Sequence, residues 1–201
     1  MIKDLSAAFA ESIFQKGFLL NKNGFTIYLY DVTCSSFENS AAIRYQVSDT
    51  IYHLKLNRFN SRATDDALAA TLIHEIMHCV LLDIYKSAKQ GDDKALASIA
   101  GFGLNRNHNS GFLNNDFFVL MDSDESKQHE LIYQLYYPRM VSLLERFEEI
   151  HKEVFFDHDN AEFLMWSGSQ NTSSYKRLGD EEKREIELTI LQAKGINIEK
   201  F

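Results

Sequence analysis

The segment from Arg62 to Lys89 constrains the fold most, because it is strongly apolar and carries two regularly spaced histidines. Thr64 is a favourable helix N-cap, and the acidic residue Asp65 suits the positive end of a helix dipole. Neither glycine nor proline interrupts the segment before Gly91. We therefore predict one long helix that is buried among other elements.

The sequence His74-Glu75-Ile76-Met77-His78, an HExxH motif, lies in the middle of this helix. Residues four apart on a helix lie about 40° from each other and roughly 6 Å along its axis, so both imidazoles can face one ion. Glu75 points to the side of this pair, from where it can reach a metal-activated water. The motif predicts one zinc ion, with His74 and His78 as ligands and Glu75 as the general base.

A catalytic zinc site usually has three protein ligands, so a third one is expected further along the chain. The best candidates are His129 and Glu130, which open a second predicted helix that can pack against the first. We prefer His129, because a third neutral imidazole suits zinc, and Glu130 stays as the alternative. Weaker candidates are His108, Asp122 and Asp124.

Three further polar residues are less informative. Tyr133 and Tyr136 follow His129 by one and two helical turns and could donate a hydrogen bond to an oxyanion, although a role in the core is favoured for both. His53 alternates outward on a predicted strand, which favours a surface position.

The order of predicted elements is strands first and helices afterwards. A helix over residues 2–20 precedes the strands, and Pro138 is expected to kink or divide the second long helix near Tyr137. We predict an α+β fold over residues 1–201 as one domain, with a small β-sheet packed beside the long HExxH helix and a mostly helical C-terminal half. The predicted strands are Phe25–Val32, Ala42–Val47 and Ile51–Asn57; the other predicted segments are helices at 62–89, 93–99, 127–154 and 180–194 and a loop at 101–115.

Composition excludes several classes of function. The chain has 201 residues, of which 45% are hydrophobic and 25% are charged, as in an ordinary soluble protein. The net charge is −8 and no cluster of basic residues occurs, so nucleic acid is not an expected partner. Cys34 and Cys79 lie far apart, which indicates neither a disulfide framework nor a zinc ribbon.

The sequence indicates neither a membrane span nor a signal peptide. Charged residues interrupt the N-terminal apolar residues, and no run approaches the roughly 18 uninterrupted apolar residues of a span. We therefore expect a soluble protein, located in the cytoplasm or exported by a non-classical route.

The segment from Thr64 to Tyr85 resembles the active-site helix of zincin-like metallopeptidase domains, including those of bacterial polymorphic toxin proteins. The likeness covers roughly residues 40–195. It implies a zincin-like fold and peptide-bond hydrolysis, with His74, His78 and His129 as zinc ligands and Glu75 as base. An inhibitor or immunity protein is an expected partner if the chain is toxin-like. Similarity to SprT-like proteases is weaker, because the cysteine-rich ribbon is absent. Residues that carry the resemblance outside HExxH are Gln128, His129, Glu130, Tyr136 to Phe147, Trp166, Gly168 and Leu178 to Ile190.

These observations favour a zinc metalloendopeptidase that acts on a protein or peptide substrate. Two alternatives remain at this point. One is a binding or regulatory protein that keeps the scaffold without cleaving, although Glu75 would then have no purpose. The other is a hydrolase of a non-peptide amide, which the same metal and base would serve equally well.

Overall fold

The computed structural model describes residues 26–32, 42–48, 51–57, 63–101, 114–122, 125–151 and 158–196. Within these ranges three strands precede the helices. The predicted helix over residues 2–20 and residues 102–113 of the predicted loop lie outside the described part. The strands are β1 (Thr26–Val32), β2 (Ala42–Ser48) and β3 (Ile51–Asn57), and the helices are α1 (Asp65–Lys89), α2 (Asp93–Gly101), α3 (Asn114–Met121), α4 (Glu125–His151), α5 (His158–Met165), α6 (Ser173–Lys176) and α7 (Asp180–Ala193).

The three strands form one sheet in the order β1-β3-β2. β2 and β3 pair antiparallel, whereas β1 pairs parallel with β3. The β2 register shifts between Gln46 and Ser48, as at a β-bulge. Each strand begins and ends within one residue of its predicted range.

Helix α1 begins and ends where its sequence indicates. The Thr64 side chain accepts a hydrogen bond from the Ala67 backbone N–H at 3.2 Å, which satisfies one of the free donors at the helix start. The helix ends at Lys89, and Gly91 follows with a φ of 82°, a conformation that glycine adopts without steric cost. The predicted long helix is confirmed, and it starts at Asp65.

The main core forms between α1 and α4. Leu72, Ile73 and Met77 of α1 are completely buried, in one apolar cluster with Leu144 and Phe147 of α4. Each of these side chains contributes about 1.5–3 kcal/mol by leaving water. Most residues of α1 are buried, so this helix packs against neighbours on several sides rather than through one face.

The apolar character of α1 raises the question of a membrane span. By length and composition alone, α1 could cross a bilayer, and among the described residues no other helix passes that test. However, 72% of its most apolar stretch is buried inside the protein. That burial is typical of the core helix of a soluble protein.

Helix α4 runs through Pro138 without a break between Glu125 and His151, so the predicted division near Tyr137 is wrong. Pro138 lies on the exposed side of the helix, whereas Tyr136 and Met140 on either side of it are buried in the core. Core packing of the flanking residues outweighs the loss of one backbone hydrogen bond at the proline.

The predicted α+β, zincin-like fold class is also wrong. The helical body that carries the site, 104 residues outside the three strands, is 82% helical, which conflicts with a fold organised around a β-sheet. The physical reason is the burial of α1, whose buried residues occupy most of its circumference. Other helices, chiefly α4, therefore pack around α1 and form the body that carries the site.

A smaller apolar cluster lies at the C-terminal end of the body. It joins the segment after α5 to α7 through Trp166, Tyr175, Ile186 and Ile190. Helix α7 matches its predicted range closely, whereas α3, α5 and α6 were not predicted. This cluster places the segment between α5 and α6 beside α4.

Candidate metal centre

His74 and His78 lie one helical turn apart on α1, and both imidazoles are buried, with exposures of 6% and 2%. Their Nε2 atoms are 3.2 Å from each other, so both rings direct the same nitrogen toward one point. The i, i+4 spacing produces this convergence, because it brings two side chains onto one face of the helix.

His129 reaches the same point from the first part of α4. It is half-buried, and its ligand nitrogen lies with those of His74 and His78 in a group whose members are all within 4.8 Å of one another. The ring centroids are 5.0, 4.9 and 4.9 Å apart, and the ring planes are inclined by 68°, 60° and 65°. The three imidazoles therefore surround one point with nearly threefold symmetry.

This arrangement fits a tetrahedral metal ion. Nitrogens that bind zinc at 2.0–2.1 Å lie about 3.4 Å from one another, close to the 3.2 Å between the first two histidines. A shift on the order of 1 Å brings the third nitrogen to the same separation. A hydrogen bond between two imidazoles could explain the pair on α1, but it gives no reason for a third ring at the same spacing from both. The three histidines could thus hold a metal ion.

Glu75 follows His74 on α1 and is half-buried. A step of one residue turns it about 100° from His74 and about 60° from His78, so it lies beside the pair rather than between them. A carboxylate in this position is suited to proton transfer near the cluster.

Glu130, the alternative third ligand, is engaged elsewhere. Its carboxylate accepts hydrogen bonds from the Ser173 backbone N–H at 2.7 Å and from the Ser174 hydroxyl at 2.5 Å. Gln134 donates a further bond at 3.0 Å. Burial alone would raise the pKa of Glu130, but these hydrogen bonds outweigh it and hold that pKa below its usual value. Glu130 thus joins α4 to the start of α6.

The weaker candidates do not join the cluster within the described part of the chain. Asp122 is exposed and accepts hydrogen bonds from the Tyr85 hydroxyl and from Lys89 at the far end of α1. The Tyr85 hydrogen bond, with the Lys89 charge, lowers the pKa of Asp122. His108 and Asp124 lie outside the described residues, as does the side chain of His53.

Tyr133 and Tyr136 of α4, the two tyrosines considered above, lie in apolar surroundings. Tyr136 is completely buried, and burial raises its pKa. Tyr133 stacks on Trp166 with ring centroids 4.1 Å apart, and burial raises its pKa to about 12. Their placement agrees with the favoured prediction that both belong to the core.

The segment 166–172, between α5 and α6, approaches the histidines and was not predicted from spacing or composition. Gly168 has a φ of 87°, and a Cβ atom placed there would lie 3.6 Å from both Cε1 and Nε2 of His74. Glycine beside serine is a turn signal, so the sequence could have revealed the turn. Its position over His74 depends on long-range packing.

No protein-family model, curated protein or solved structure matches the chain. The resemblance to metallopeptidase domains therefore stays a prediction.

Proposed function

We propose that the chain is a zinc-dependent hydrolase of peptide bonds, with His74, His78 and His129 as ligands and Glu75 as general base. The observation that carries the proposal is the nearly threefold convergence of three imidazoles from two helices. Neutral imidazole is a preferred zinc ligand.

The number of ligands favours a catalytic over a structural site. Structural zinc sites usually have four protein ligands, whereas catalytic sites have three and leave one position for water or substrate. Among the described residues the group has three members, all histidines. The long apolar core around α1 also holds the fold together without help from a metal.

Glu75 and the histidines divide the chemistry between them. Zinc in such a site acts as a Lewis acid and lowers the pKa of water to about 7. The Glu75 carboxylate accepts a proton from the attacking water and then donates it to the departing amine. The two histidines of α1 fix the position of the site relative to Glu75, because all three side chains share one rigid helix.

The proposed partner is a protein or peptide substrate, and the proposed setting is aqueous. Burial of most of the apolar stretch of α1 supports a soluble protein rather than a membrane-inserted one. A cytoplasmic location, or export by a non-classical route, stays a prediction.

The decisive experiment combines metal analysis with a matched pair of variants. Purified wild-type protein should hold about one zinc ion per chain and cleave members of a peptide library. Glu75→Gln should keep the zinc and lose at least about 100-fold in cleavage rate, because it removes the proton acceptor. Glu149→Gln, an exposed substitution on α4 away from the histidines, is the control and should cleave like the wild type.

The same experiment separates the alternatives. Zinc binding without cleavage of any peptide or small amide would indicate a binding protein. Cleavage of small amides only would indicate a non-peptide hydrolase. Absence of zinc, or a Glu75→Gln variant as active as the wild type, would contradict the proposal.

A further inference from the structure

The segment 166–172, called here the covering turn, lies directly against the histidine cluster. Beyond its chain neighbours, the three atoms nearest to a Cβ placed at Gly168 all belong to the His74 ring, and they include Nε2, the nitrogen that faces the cluster. Gly168 is exposed, whereas Trp166 before it and Ser169 and Thr172 after it are almost completely buried. The turn is therefore anchored on both sides of Gly168, and this glycine lies against the edge of the His74 ring that carries Nε2.

Two contacts fasten the covering turn to α4, and both involve residues close to His129. Glu130 accepts hydrogen bonds from Ser173 and Ser174, which directly follow the turn. One helical turn after His129, Tyr133 stacks on Trp166, the first residue of the covering turn. The same part of α4 thus presents His129 and holds the turn over His74.

The inside of the turn is closed by its own hydrogen bonds. The Thr172 hydroxyl donates to the Ser169 carbonyl at 2.7 Å and also accepts from the Tyr175 backbone N–H at 3.2 Å. The Gly168 backbone N–H donates to the Gln170 side chain at 3.1 Å. These bonds define one conformation of the turn, in which Gly168 keeps its positive φ.

We propose that the covering turn is a fixed wall of the metal centre, in which Gly168 leaves the Nε2 edge of the His74 ring open. Glu130 is a positioning residue that holds this wall in place. The part that concerns metal and substrate access rests on the proposed function. A wall without a side chain at Gly168 lets a metal ion and the main chain of a substrate approach the histidines closely.

A matched pair of glycine substitutions tests the role of Gly168. Gly91 and Gly168 have almost the same φ, 82° and 87°, so alanine is similarly strained at both positions. A Cβ at Gly91 has nothing within 4 Å, whereas one at Gly168 meets His74. Because the backbone strain is similar, Gly168→Ala and Gly91→Ala should lower the thermal midpoint by similar amounts.

Only Gly168→Ala should affect the site. In metal-free protein, the NMR signals of the His74 ring protons should shift in Gly168→Ala and not in Gly91→Ala. With cobalt as the probe ion, Gly168→Ala should raise the Kd by about tenfold and alter the visible absorption spectrum. Unchanged His74 signals in Gly168→Ala would overturn the proposed wall, whether or not metal binds. If the two glycine variants show the expected NMR difference but wild-type protein binds no cobalt, the proposed metal centre alone would be refuted.

The role of Glu130 is tested by Glu130→Gln, with Glu149→Gln as the control on the same helix. Glu149 pairs with Arg146 on the exposed face of α4, so its loss should leave the turn unchanged. Glu130→Gln removes the charged acceptor, and amide hydrogen exchange at Ser173 and Ser174 should become about tenfold faster. The cobalt spectrum should change as well, which a loss of global stability alone would not produce. Exchange rates and a spectrum equal to those of Glu149→Gln would overturn the assignment.

Discussion

The two helices that supply the histidines differ in how they build their part of the site. Helix α1 contributes two imidazoles through local spacing alone, and both are buried in a helix that is apolar on most sides. Helix α4 contributes one half-buried imidazole, and that contribution depends on how α4 packs against α1 and against the covering turn. The histidine pair of α1 follows from the local sequence spacing, whereas the position of His129 on α4 depends on the tertiary fold.

Two acidic residues, Asp83 on α1 and Glu130 on α4, differ in how their surroundings treat the charged carboxylate. Asp83 on α1 is 4% exposed, and burial raises its pKa to about 6. Glu130 on α4 is partly buried too, but donors from Ser173, Ser174 and Gln134 stabilise its charged form. The charged form of Asp83 therefore destabilises the fold at neutral pH, whereas the charged form of Glu130 stabilises the contact between α4 and the start of α6.

The largest expected effect comes from removing one histidine from each helix. His78→Ala should weaken zinc binding by more than about 100-fold, since even outer partners of a zinc site contribute 10-fold to 100-fold. His129→Ala should weaken it less, because His74 and His78 remain as a preformed pair on α1. Competition with a chromophoric chelator measures both affinities. Zinc affinity in His129→Ala equal to that of the wild type would show that α4 contributes no ligand.

A smaller effect is expected from the buried carboxyl of α1. The Asp83 pKa is about 6 in the folded chain against 3.8 as the ordinary value, so the folded state holds this proton more tightly. Its contribution to the free energy of unfolding should fall as the pH rises from about 4 to about 6 and stay low above that. Asp83→Asn should remove this dependence and stabilise the protein by up to about 3 kcal/mol near neutral pH.

Urea unfolding near pH 4 and near pH 7 measures this dependence, and Asp122→Asn is the matched control of opposite sign. The lowered pKa of Asp122 means that its contribution is present above about pH 4 and is lost as the pH falls further. If Asp83→Asn unfolded with the same pH dependence as the wild type, the buried carboxyl would not be the cause.

What could be predicted from the sequence depended on short-range signals. The N-cap at Thr64, the histidine pair on α1 and the glycine at position 91 are signals that each act over only a few residues, and each is found where it was expected. His129 was a choice between two neighbouring residues. The structure brings His129 to the pair and directs Glu130 away from it, a difference of one residue that only the packing of α4 determines.

The failures were long-range effects. Pro138 was expected to kink or divide α4, but the helix continues through it without a break, with the proline on the exposed side. The α+β class was inferred from the strand-forming segments, whereas helix packing dominates the body that carries the site. The covering turn offers no periodic pattern at all, since its residues are held by partners on α4 and within the turn itself.

X-ray absorption spectroscopy at the zinc edge, on zinc-loaded protein, tests the central claim most directly. The account predicts three imidazole nitrogens at about 2.0–2.1 Å in the wild type, and two in His129→Ala. A spectrum dominated by sulfur or carboxylate ligands, or one with the same number of imidazoles in His129→Ala as in the wild type, would contradict the account.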